Sequence, residues 1–337
     1  MNAMFEAFFT HINHYYACLP YNLNWGERTR SVRGFLSKYP LSVIDIGARG
    51  GGAGELAGLS KFMRYVGFDA DQEECRRLMD NPPGDYAEYR VYPYFIGGSG
   101  TVDFHLYSDR GMSSTYEIDS EFSRAYFEPS PRLERTVTLE AVRLDDVVVK
   151  DKLSAPDFLK LDTQGSELDI LRGSSRTLAE TSLVEVEVEF YPMYKGQPLF
   201  ADVDAFLRSH NFELLYLNRC FQQRKKFYKG LSRGQLIFGD VLYGRSTAKL
   251  GGFLPERIAK YIILLCHYGH LDLAYQIYVE HSEVGELFPA ISRCFPRVPS
   301  LVRRGVVSQL DKLTCLLLHI RRTNHMFCDS DRSWPIR

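Results

Sequence analysis

Three carboxylates in this sequence each stand where a short apolar stretch gives way to glycine or to further polar residues. Asp45 lies in VIDIGARGGGAG, Asp69 closes YVGFD, and Asp162 lies in FLKLDTQGSELDILRG. Carboxylate oxygens accept hydrogen bonds from hydroxyl and amino groups, and the two hydroxyls of a ribose can both donate to one carboxylate. The chemistry that these residues indicate is recognition of a ligand that contains a nucleoside.

The first of these stretches runs into a glycine-rich turn. Gly47 and Gly51 flank Arg49, and a helix is predicted to follow. A strand, a glycine turn and a helix place backbone N–H groups and an open surface at the carboxyl end of a sheet, where doubly wound folds bind nucleotides. The pattern is neither GxGxxG nor a Walker loop, so a dinucleotide turn, a nucleoside turn and a tight connection all remain open.

The second acidic position follows the next predicted strand. Asp69 stands where nucleoside-binding α/β folds place a carboxylate against the ribose, and one intervening helix fits its distance from Gly51. Asp71 is predicted to be the N-cap of a helix over Gln72–Met79. We therefore assign Asp69 to the ligand and Asp71 to the helix.

The third acidic position ends another predicted strand. The alternation over residues 158–161 puts Asp162 at the carboxyl end of that strand, and Gly165 opens the turn to a helix over Ser166–Gly173. Asp162 then faces the same crevice as the glycine turn, although a hydrogen bond to the turn backbone would also explain it. Glu167 falls in the first helical turn, where the helix dipole favours an acid whether or not it has another role.

The elements that must position these residues alternate between strand and helix. This alternation predicts an α/β fold with a doubly wound, mostly parallel sheet. The stretch TVDFHLYS predicts an antiparallel strand or hairpin, and the polar stretch Gly111–Arg135 predicts a long mobile loop.

Helical spacing marks both ends of the chain. We divide the sequence into an N-terminal helical segment at residues 1–40, with its second helix over Arg28–Ser37, an α/β domain at residues 41–250, and a C-terminal α-helical extension at residues 251–337. The extension contains a helical hairpin that turns at Tyr268–His270 and an amphipathic helix, GVVSQLDKLTCLLLHIRR.

Composition narrows the class of protein. The 41 Lys and Arg residues nearly balance the 42 Asp and Glu residues, so nucleic acid is not expected as a partner. The seven scattered cysteines form no CxxC pair, which is typical of a reducing cytoplasm. No signal peptide or transmembrane segment is predicted, and the acidic residues show no spacing typical of a metal site.

These motifs together resemble the FkbM family of S-adenosylmethionine-dependent methyltransferases. The resemblance spans roughly Ser42–Arg245 and adds GGSGTVDF, GMSST, VRLDDVV, YKGQPLF and GDVLYG to the stretches quoted above. It implies a Rossmann-like methyltransferase sheet with one antiparallel strand near the end. The family tends to carry Glu, Asn and Glu where this chain has Asp69, Arg49 and Gln164.

The resemblance also implies how the donor is bound. Gly47 and Gly51 would accommodate the methionine part, Asp45 would accept from its amino group, and Asp69 would bind the ribose. Adenine would be bordered by the segment around Ile96. The residues implied to bind S-adenosyl-L-methionine are Asp45, Gly47, Ala48, Gly51, Asp69, Ala70 and Ile96.

Transfer to a hydroxyl requires a base, because the acceptor must lose its proton. Asp162 is the first candidate and Glu189, at the end of SLVEVEVEF, is the second; Lys160 would pair with an acid or shape the acceptor site. The acceptor site would be formed by two loops, whose predicted substrate-binding residues are Ser113, Ser114, Tyr191, Tyr194 and Gln197.

Three functions are therefore compared. The first is O-methylation of a sugar, a glycan or a polyhydroxylated metabolite. The second is an NAD-type oxidoreductase, which leaves Asp45 unexplained. The third is a catalytically silent module that holds a protein partner, or a second copy of itself, through the C-terminal helices.

Overall fold

The structure is a computed structural model that describes residues 25–52, 54–226 and 234–295. The predicted first N-terminal helix, the predicted helix at residues 305–322, and Cys18, Cys315 and Cys328 lie outside the described residues. The described part of the second N-terminal helix runs over Trp25–Lys38, and the C-terminal hairpin turns after His267, both close to the predicted positions.

Strands and helices alternate along most of the chain. The strands are Leu41–Ile46 (β1), Met63–Phe68 (β2), Glu88–Tyr92 (β3), Phe95–Ile96 (β4), Gly100–Tyr107 (β5), Leu133–Val142 (β6), Phe158–Leu161 (β7), Leu183–Glu189 (β8), Phe212–Gln222 (β9) and Gln235–Arg245 (β10). The α-helices are Trp25–Lys38 (α1), Gln72–Asp80 (α2), Ser120–Tyr126 (α3), Leu144–Lys150 (α4), Glu167–Arg172 (α5), Ser175–Glu180 (α6), Phe200–Ser209 (α7), Pro255–His267 (α8), Leu271–Glu280 (α9) and Ser282–Leu287 (α10).

Seven of the strands form one twisted sheet in the order β3-β2-β1-β7-β8-β10-β9. All neighbouring pairs from β3 to β8 are parallel, and β10 is antiparallel to both β8 and β9. The order reverses between β1 and β7, which is the switch point where doubly wound sheets open a crevice at their carboxyl ends. The predicted α/β class and the single antiparallel strand near the end are confirmed.

Helices cover both faces of this sheet. Ile44, Leu159 and Val186 point to the face that packs against α4 to α7. Leu183 and Leu242 point to the opposite face, where α1, α2 and α8 to α10 complete the core. Strands β1 and β8 are buried along their whole length, as is usual for parallel strands with helices on both faces.

The segment 111–127 differs from its prediction as an irregular loop. It contains a helix, α3, and a short 3-10 turn, and its Met112, Ile118 and Phe122 are buried in a cluster of their own with Ile237. We call this segment the cap. It follows β5, which is an antiparallel strand as the sequence predicts and pairs with β6, a strand that was not predicted from the sequence.

The C-terminal hairpin is part of the same core. Tyr261 of α8 is fully buried, and Lys260 Nζ lies 3.0 Å from a carboxylate oxygen of buried Asp157, which precedes β7. Among the residues described, no helix is long and apolar enough to span a bilayer. The division of the chain into three domains stays a prediction.

Candidate active site

The predicted site residues converge at the carboxyl edge of the sheet. Gly47 follows β1, Asp69 follows β2, Asp162 follows β7, and Glu189 ends β8. These strands are neighbours, and the backbone joins them at this edge: Gly47 N–H donates to Phe68 O over 3.0 Å, and Asp162 N–H donates to Ile46 O over 3.0 Å.

The glycine turn is shaped by close approach of the backbone. Gly47 has φ +87°, and a Cβ at this position would lie 1.8 Å from the backbone oxygen of Asp162. Only glycine fits such a conformation and such a gap. Gly51, with φ +70°, is enclosed by Leu78 and Tyr89.

The expectation that this turn offers backbone N–H groups to a ligand is wrong. Each N–H group from residue 47 to residue 52 donates to an acceptor within the protein. Gly50 N–H, for example, donates to Glu74, and Gly52 N–H donates to the Tyr65 hydroxyl. The turn therefore contributes shape to the site, and N–H or O–H donors to a ligand must come from other parts of the chain.

Asp45 is buried within β1 and lies under the turn. The Tyr65 hydroxyl donates to its Oδ2 over 2.7 Å, and Gly52 N–H donates to that hydroxyl over 3.0 Å. Burial and the nearby Asp45 raise the pKa of Tyr65, so its hydroxyl keeps its proton and acts as donor. Ala48 is also buried, and its Cβ faces Gly67 of the neighbouring strand.

Asp71 has the N-cap role that the sequence predicts, and the assignment of Asp69 to the ligand stays a prediction. Asp71 is the N-cap of α2 and accepts from Glu73 N–H and Glu74 N–H. Asp69 accepts from Asp71 N–H over 2.8 Å, and its burial raises the pKa of its carboxyl. Asp69 and the adjacent Ala70 remain partly exposed at the crevice.

The turn after β7 is closed by a buried acid. Glu167 accepts from Thr163 N–H over 2.6 Å, from the Thr163 hydroxyl over 2.9 Å and from Gly165 N–H over 2.9 Å. Burial raises the pKa of Glu167 to about 7. Glu167 lies in the first turn of α5, as predicted, but it holds the crevice turn in place as well as facing the helix dipole.

Gln164 occupies the centre of this turn with φ +61°, a conformation that is uncommon for residues other than glycine. Its amide nitrogen donates to Glu187 Oε1 over 2.7 Å and lies 3.5 Å from Asp162 Oδ1. Its amide oxygen lies 3.1 Å from the Tyr194 hydroxyl. Gln164 thus links the carboxylates of Glu187 and Asp162 to Tyr194, which lies in the loop after β8.

Glu187 is a residue that the sequence reasoning missed. It projects from β8 on the same face as Glu185 and Glu189, and all three are buried. Burial, with Asp162 and Glu189 adding like charge, raises the pKa of Glu187 well above its usual range. The signal was the alternation in VEVEVE, which places three glutamates on one face of a strand.

Glu189 is the last of these three glutamates along β8 and lies close to Gln197. Burial, with Glu167 adding like charge, raises the pKa of Glu189 well above its usual range. The side-chain amide of Gln197 lies next to the Glu189 carboxyl and partly offsets this rise. Glu189 and Gln197 therefore face each other in a buried position beside the crevice.

Lys160 lies on β7, next to Glu185, the first of the three glutamates along β8. In the sheet register it is the neighbour of Asp45 on one side and of Glu185 on the other. Its Nζ lies 3.6 Å from Asp162 Oδ2. The predicted pairing of Lys160 with a neighbouring acid is confirmed.

The predicted substrate-binding residues make hydrogen bonds in and around the two loops. Ser114 Oγ donates to Gln164 O in the turn after β7 over 2.6 Å, Ser113 Oγ accepts from Tyr107 N–H of β5, and Gln197 Oε1 accepts from Met193 N–H within its own loop. The buried Tyr194 joins the loop after β8 to the cap, because its hydroxyl donates to Met112 O over 3.2 Å. Tyr191 is more exposed, and its ring packs against Phe122 and Tyr126.

A cleft of about 300 Å³ opens beside the crevice. It contains aromatic, hydroxyl and carboxylate groups, contributed by Phe95, Val102, Asp103, Thr115, Tyr116, Ser166 and Asp169 with two glycines after β4. Ile96 lies behind this cleft in the core of the sheet, and its side chain is buried.

Comparison with known proteins gives a family match and one informative relative. Residues 48–214 match the family described as the methyltransferase FkbM domain. The 2-O-methyltransferase NoeI of Sinorhizobium fredii is 26% identical over 193 residues, which cover 55% of this chain and 78% of that protein.

Solved structures show weaker likeness. Methyltransferase FkbM from Methylobacillus flagellatus KT has a TM-score of 0.33 at 15% identity, and the match covers 61% of this chain and 43% of that one. Precorrin-6y C5,15-methyltransferase from Geobacter metallireducens GS-15 has a TM-score of 0.31 at 12% identity, covering 63% and 87%. At such scores the fold assignment rests on the strand order of this chain.

Proposed function

The chain carries an FkbM methyltransferase domain and so belongs to that family of methyltransferases, and from this premise we propose that it is an S-adenosylmethionine-dependent O-methyltransferase acting on a sugar, a glycan or another polyhydroxylated metabolite. The observation that carries the proposal is the placement of Gly47, Asp69 and Asp162 at the carboxyl ends of three neighbouring parallel strands. The 2-O-methyltransferase activity named for NoeI supports oxygen as the methylated atom.

The residues at this edge fit such a donor. Asp69 is partly exposed and presents a carboxylate for two ribose hydroxyls, while Gly50 leaves open space at the glycine turn beside it. Asp45 and Asp162 supply acceptors for an amino group, which suits the methionine end. When bound, S-adenosylmethionine supplies an electrophilic methyl group on a positively charged sulfur.

On the protein side, the reaction needs a proton acceptor and exclusion of water. Asp162 is the leading base, because its side chain is 36% exposed to the crevice and Lys160 lies beside it. Glu189 is the second candidate. In either case the carboxylate would take the hydroxyl proton as the acceptor oxygen bonds to the methyl carbon, and the sulfur would leave with the electrons of the broken S–C bond.

The acceptor side is formed by the cap and the loop after β8. Tyr191 offers a partly exposed aromatic surface, and the amide of Gln197 lies beside the Glu189 carboxyl. Aromatic packing and neutral hydrogen bonds suit a hydroxylated acceptor. The near balance of charge over the chain gives no support to a polyanionic acceptor such as nucleic acid.

Titration calorimetry with S-adenosylmethionine and S-adenosylhomocysteine tests the proposal directly. We expect both to bind to the wild-type protein and NAD to produce no heat. Binding of NAD without any response to the two sulfur nucleosides would instead support an oxidoreductase. A methyl-transfer assay over a panel of sugars with labelled donor then identifies the acceptor class.

A further inference from the structure

The hairpin formed by β9 and β10 is rich in basic residues. From residue 214 to residue 239 the sequence contains no Asp or Glu, although acids and bases nearly balance over the whole chain. The basic residues of this stretch are Arg219, Arg224, Lys225, Lys226, Lys229 and Arg233, of which the structure describes the first four. A local excess of positive charge attracts an anionic ligand even where the net charge of the protein is close to zero.

The tip of this hairpin lies at the same edge of the sheet as the crevice. Strand β10 is antiparallel to β8, and its Phe238 pairs with Glu189, the last residue of β8. Gln235, at the start of β10, pairs with Gln222, at the end of β9. Residues 223–226 therefore extend beyond the carboxyl end of β8, where the predicted acceptor site lies.

Two cations of this hairpin are held in place by uncharged groups. The Arg224 guanidinium donates to the side-chain oxygen of Gln235 over 2.9 Å, and its carbon lies 5.3 Å from the centre of the Tyr126 ring. Lys225 Nζ donates to Phe127 O over 2.8 Å. Among the described residues, no carboxylate forms an ion pair with either cation. Both positive charges are thus fixed in position without being neutralised.

Other cations close to the cap differ in this respect. Arg110 pairs with Glu134 over 2.7 Å, and Lys195 pairs with Glu117 over 2.6 Å. Guanidinium and ammonium groups are the side chains that most often bind phosphate oxygens in proteins. Two neighbouring cations that are anchored only by neutral groups suit a phosphate, which carries more than one negative charge near neutral pH.

Tyr126 connects these cations to the predicted acceptor site. The centre of its ring lies 6.1 Å from the centre of the Tyr191 ring, and its hydroxyl donates to the Gln235 oxygen that also accepts from Arg224. The Arg224 guanidinium is therefore one aromatic ring away from Tyr191. A sugar that packs on Tyr191 and carries a phosphate can span this separation.

We propose that Arg224 and Lys225 bind a phosphate on the methyl acceptor, so that the substrate is a phosphorylated sugar rather than a neutral one. The inference rests on the proposed function, because it takes the surface at Tyr191 as part of the acceptor site. The phosphate orients the sugar and takes no part in the transfer of the methyl group. Soluble sugar phosphates and sugars linked to a lipid through phosphate share this chemistry.

Calorimetry with pyrophosphate tests the subsite without an acceptor. The full chain is saturated with S-adenosylhomocysteine and titrated with pyrophosphate at an ionic strength of about 0.15 M. We expect the wild-type protein to bind pyrophosphate and both Arg224→Gln and Lys225→Gln to weaken this binding at least about tenfold. The second variant serves as the test if the first does not fold.

Arg208→Gln is the matched control, because it also removes one positive charge. Arg208 pairs with Asp204 over 2.8 Å and lies at the end of α7, just before β9 begins at the opposite edge of the sheet. This variant should change the affinity for pyrophosphate by less than about twofold.

Methyl-transfer assays then compare forms of the acceptor. Glucose, galactose, mannose and fucose are each offered as the methyl glycoside, as the 1-phosphate and as the polyprenyl-phosphate-linked sugar in detergent. We expect kcat/KM to be at least about tenfold higher for a phosphate-bearing form than for the matching methyl glycoside, and Arg224→Gln to remove most of this preference. Preference for the 1-phosphate indicates a soluble substrate, and preference for the polyprenyl form indicates a lipid-linked one.

Several outcomes would overturn the subsite while binding of S-adenosylhomocysteine leaves the proposed function in place. They are a wild-type protein that binds no pyrophosphate, an equal loss in Arg208→Gln and Arg224→Gln, and methyl glycosides that react as well as the phosphorylated sugars. A lower melting temperature of Arg224→Gln with unchanged affinity for pyrophosphate also overturns it, since the arginine would then only support the cap. If none of the sugars reacts, the calorimetry alone decides. If S-adenosylhomocysteine produces no heat with the wild-type protein, the proposed function fails and the subsite fails with it.

Discussion

The side-chain amide of Gln164 donates a hydrogen bond of 2.7 Å to Glu187, across the crevice between the turn after β7 and the end of β8. The same amide nitrogen lies 3.5 Å from Asp162, and its oxygen faces the Tyr194 hydroxyl. An amide is the side chain that can donate to two carboxylates and accept from a phenol at the same time. A glutamate at this position could keep these contacts only by binding a proton.

The first prediction concerns Gln164→Glu. The added carboxyl enters a cluster that already raises the pKa of Glu187, so the folded protein should bind an additional proton near neutral pH. Stability should then fall more steeply between pH 6 and pH 8 than in the wild-type protein, measured as the melting temperature across that range. Gln164→Met, which is uncharged and similar in size, should lower the melting temperature by the same amount at each pH.

The second prediction concerns the wild-type protein itself. Glu167, Glu187 and Glu189 all bind their protons more tightly when folded than when unfolded. Their contribution to stability is therefore fully present below the unfolded pKa, about 4.3, and is lost as pH rises through the folded pKa, about 7 for Glu167. We expect the free energy of unfolding from these groups to decline from pH 5 to pH 8.

Glu187→Gln provides the control for this decline. It removes one of the three titrating groups, so its denaturation midpoint in urea should depend less on pH than that of the wild-type protein. Parallel pH profiles for the two proteins would contradict the conclusion that Glu187 binds its proton more tightly in the folded protein than in the unfolded chain.

The sequence predicts the sheet and its crevice because the evidence for them is local. Glycine with positive φ at residue 47, the acid after β2 and the N-cap at Asp71 each follow from a few adjacent residues. The strand order then brings these positions together, since carboxyl ends of parallel strands share one edge.

What the sequence did not predict depends on distant parts of the chain. Alternating Val and Glu in β8 is typical of a strand with one face in water, yet Glu185 is covered by Tyr268 from the C-terminal helices. The cap is polar in composition, but its Phe122 is buried in a cluster with Ile237, more than a hundred residues away. Burial of this kind is decided by tertiary contacts that no local pattern reveals.

The third prediction tests whether Asp69 recognises the ribose. Asp69→Asn keeps the acceptor for Asp71 N–H but weakens bonds from ribose hydroxyls, which the charged and neutral sulfur nucleosides share. We expect affinity for both to fall by about tenfold or more in calorimetry, with their ratio unchanged. Loss of one ligand alone would show that Asp69 does not contact the ribose.

The fourth prediction concerns the glycine turn. Gly47 and Gly50 have nearly equal φ angles of +87° and +85°. A Cβ at Gly47 would lie 1.8 Å from a backbone oxygen, whereas none of the described atoms lies within 4 Å of a Cβ at Gly50. Gly50→Ala should cost only the left-handed conformation, about 1–2 kcal/mol in urea unfolding. Gly47→Ala should cost at least about 3 kcal/mol, because the strands must also separate. Similar losses for the two variants would mean that backbone approach does not constrain the turn.

The fifth prediction concerns how the C-terminal helices support the sheet. Tyr268 is buried at the end of α8, stacks on Phe158 and donates to Glu185, so Tyr268→Phe should lower the free energy of unfolding by about 1–2 kcal/mol. Tyr275 on α9 is 55% exposed, and Tyr275→Phe should change it by less than about 0.5 kcal/mol. If the two variants unfold at the same urea concentration, the helices do not stabilise this face of the sheet. If Tyr268→Phe is selectively destabilised, the residues after 252 belong to the folding unit of the methyltransferase domain, and removing them should unfold that domain rather than merely release a partner.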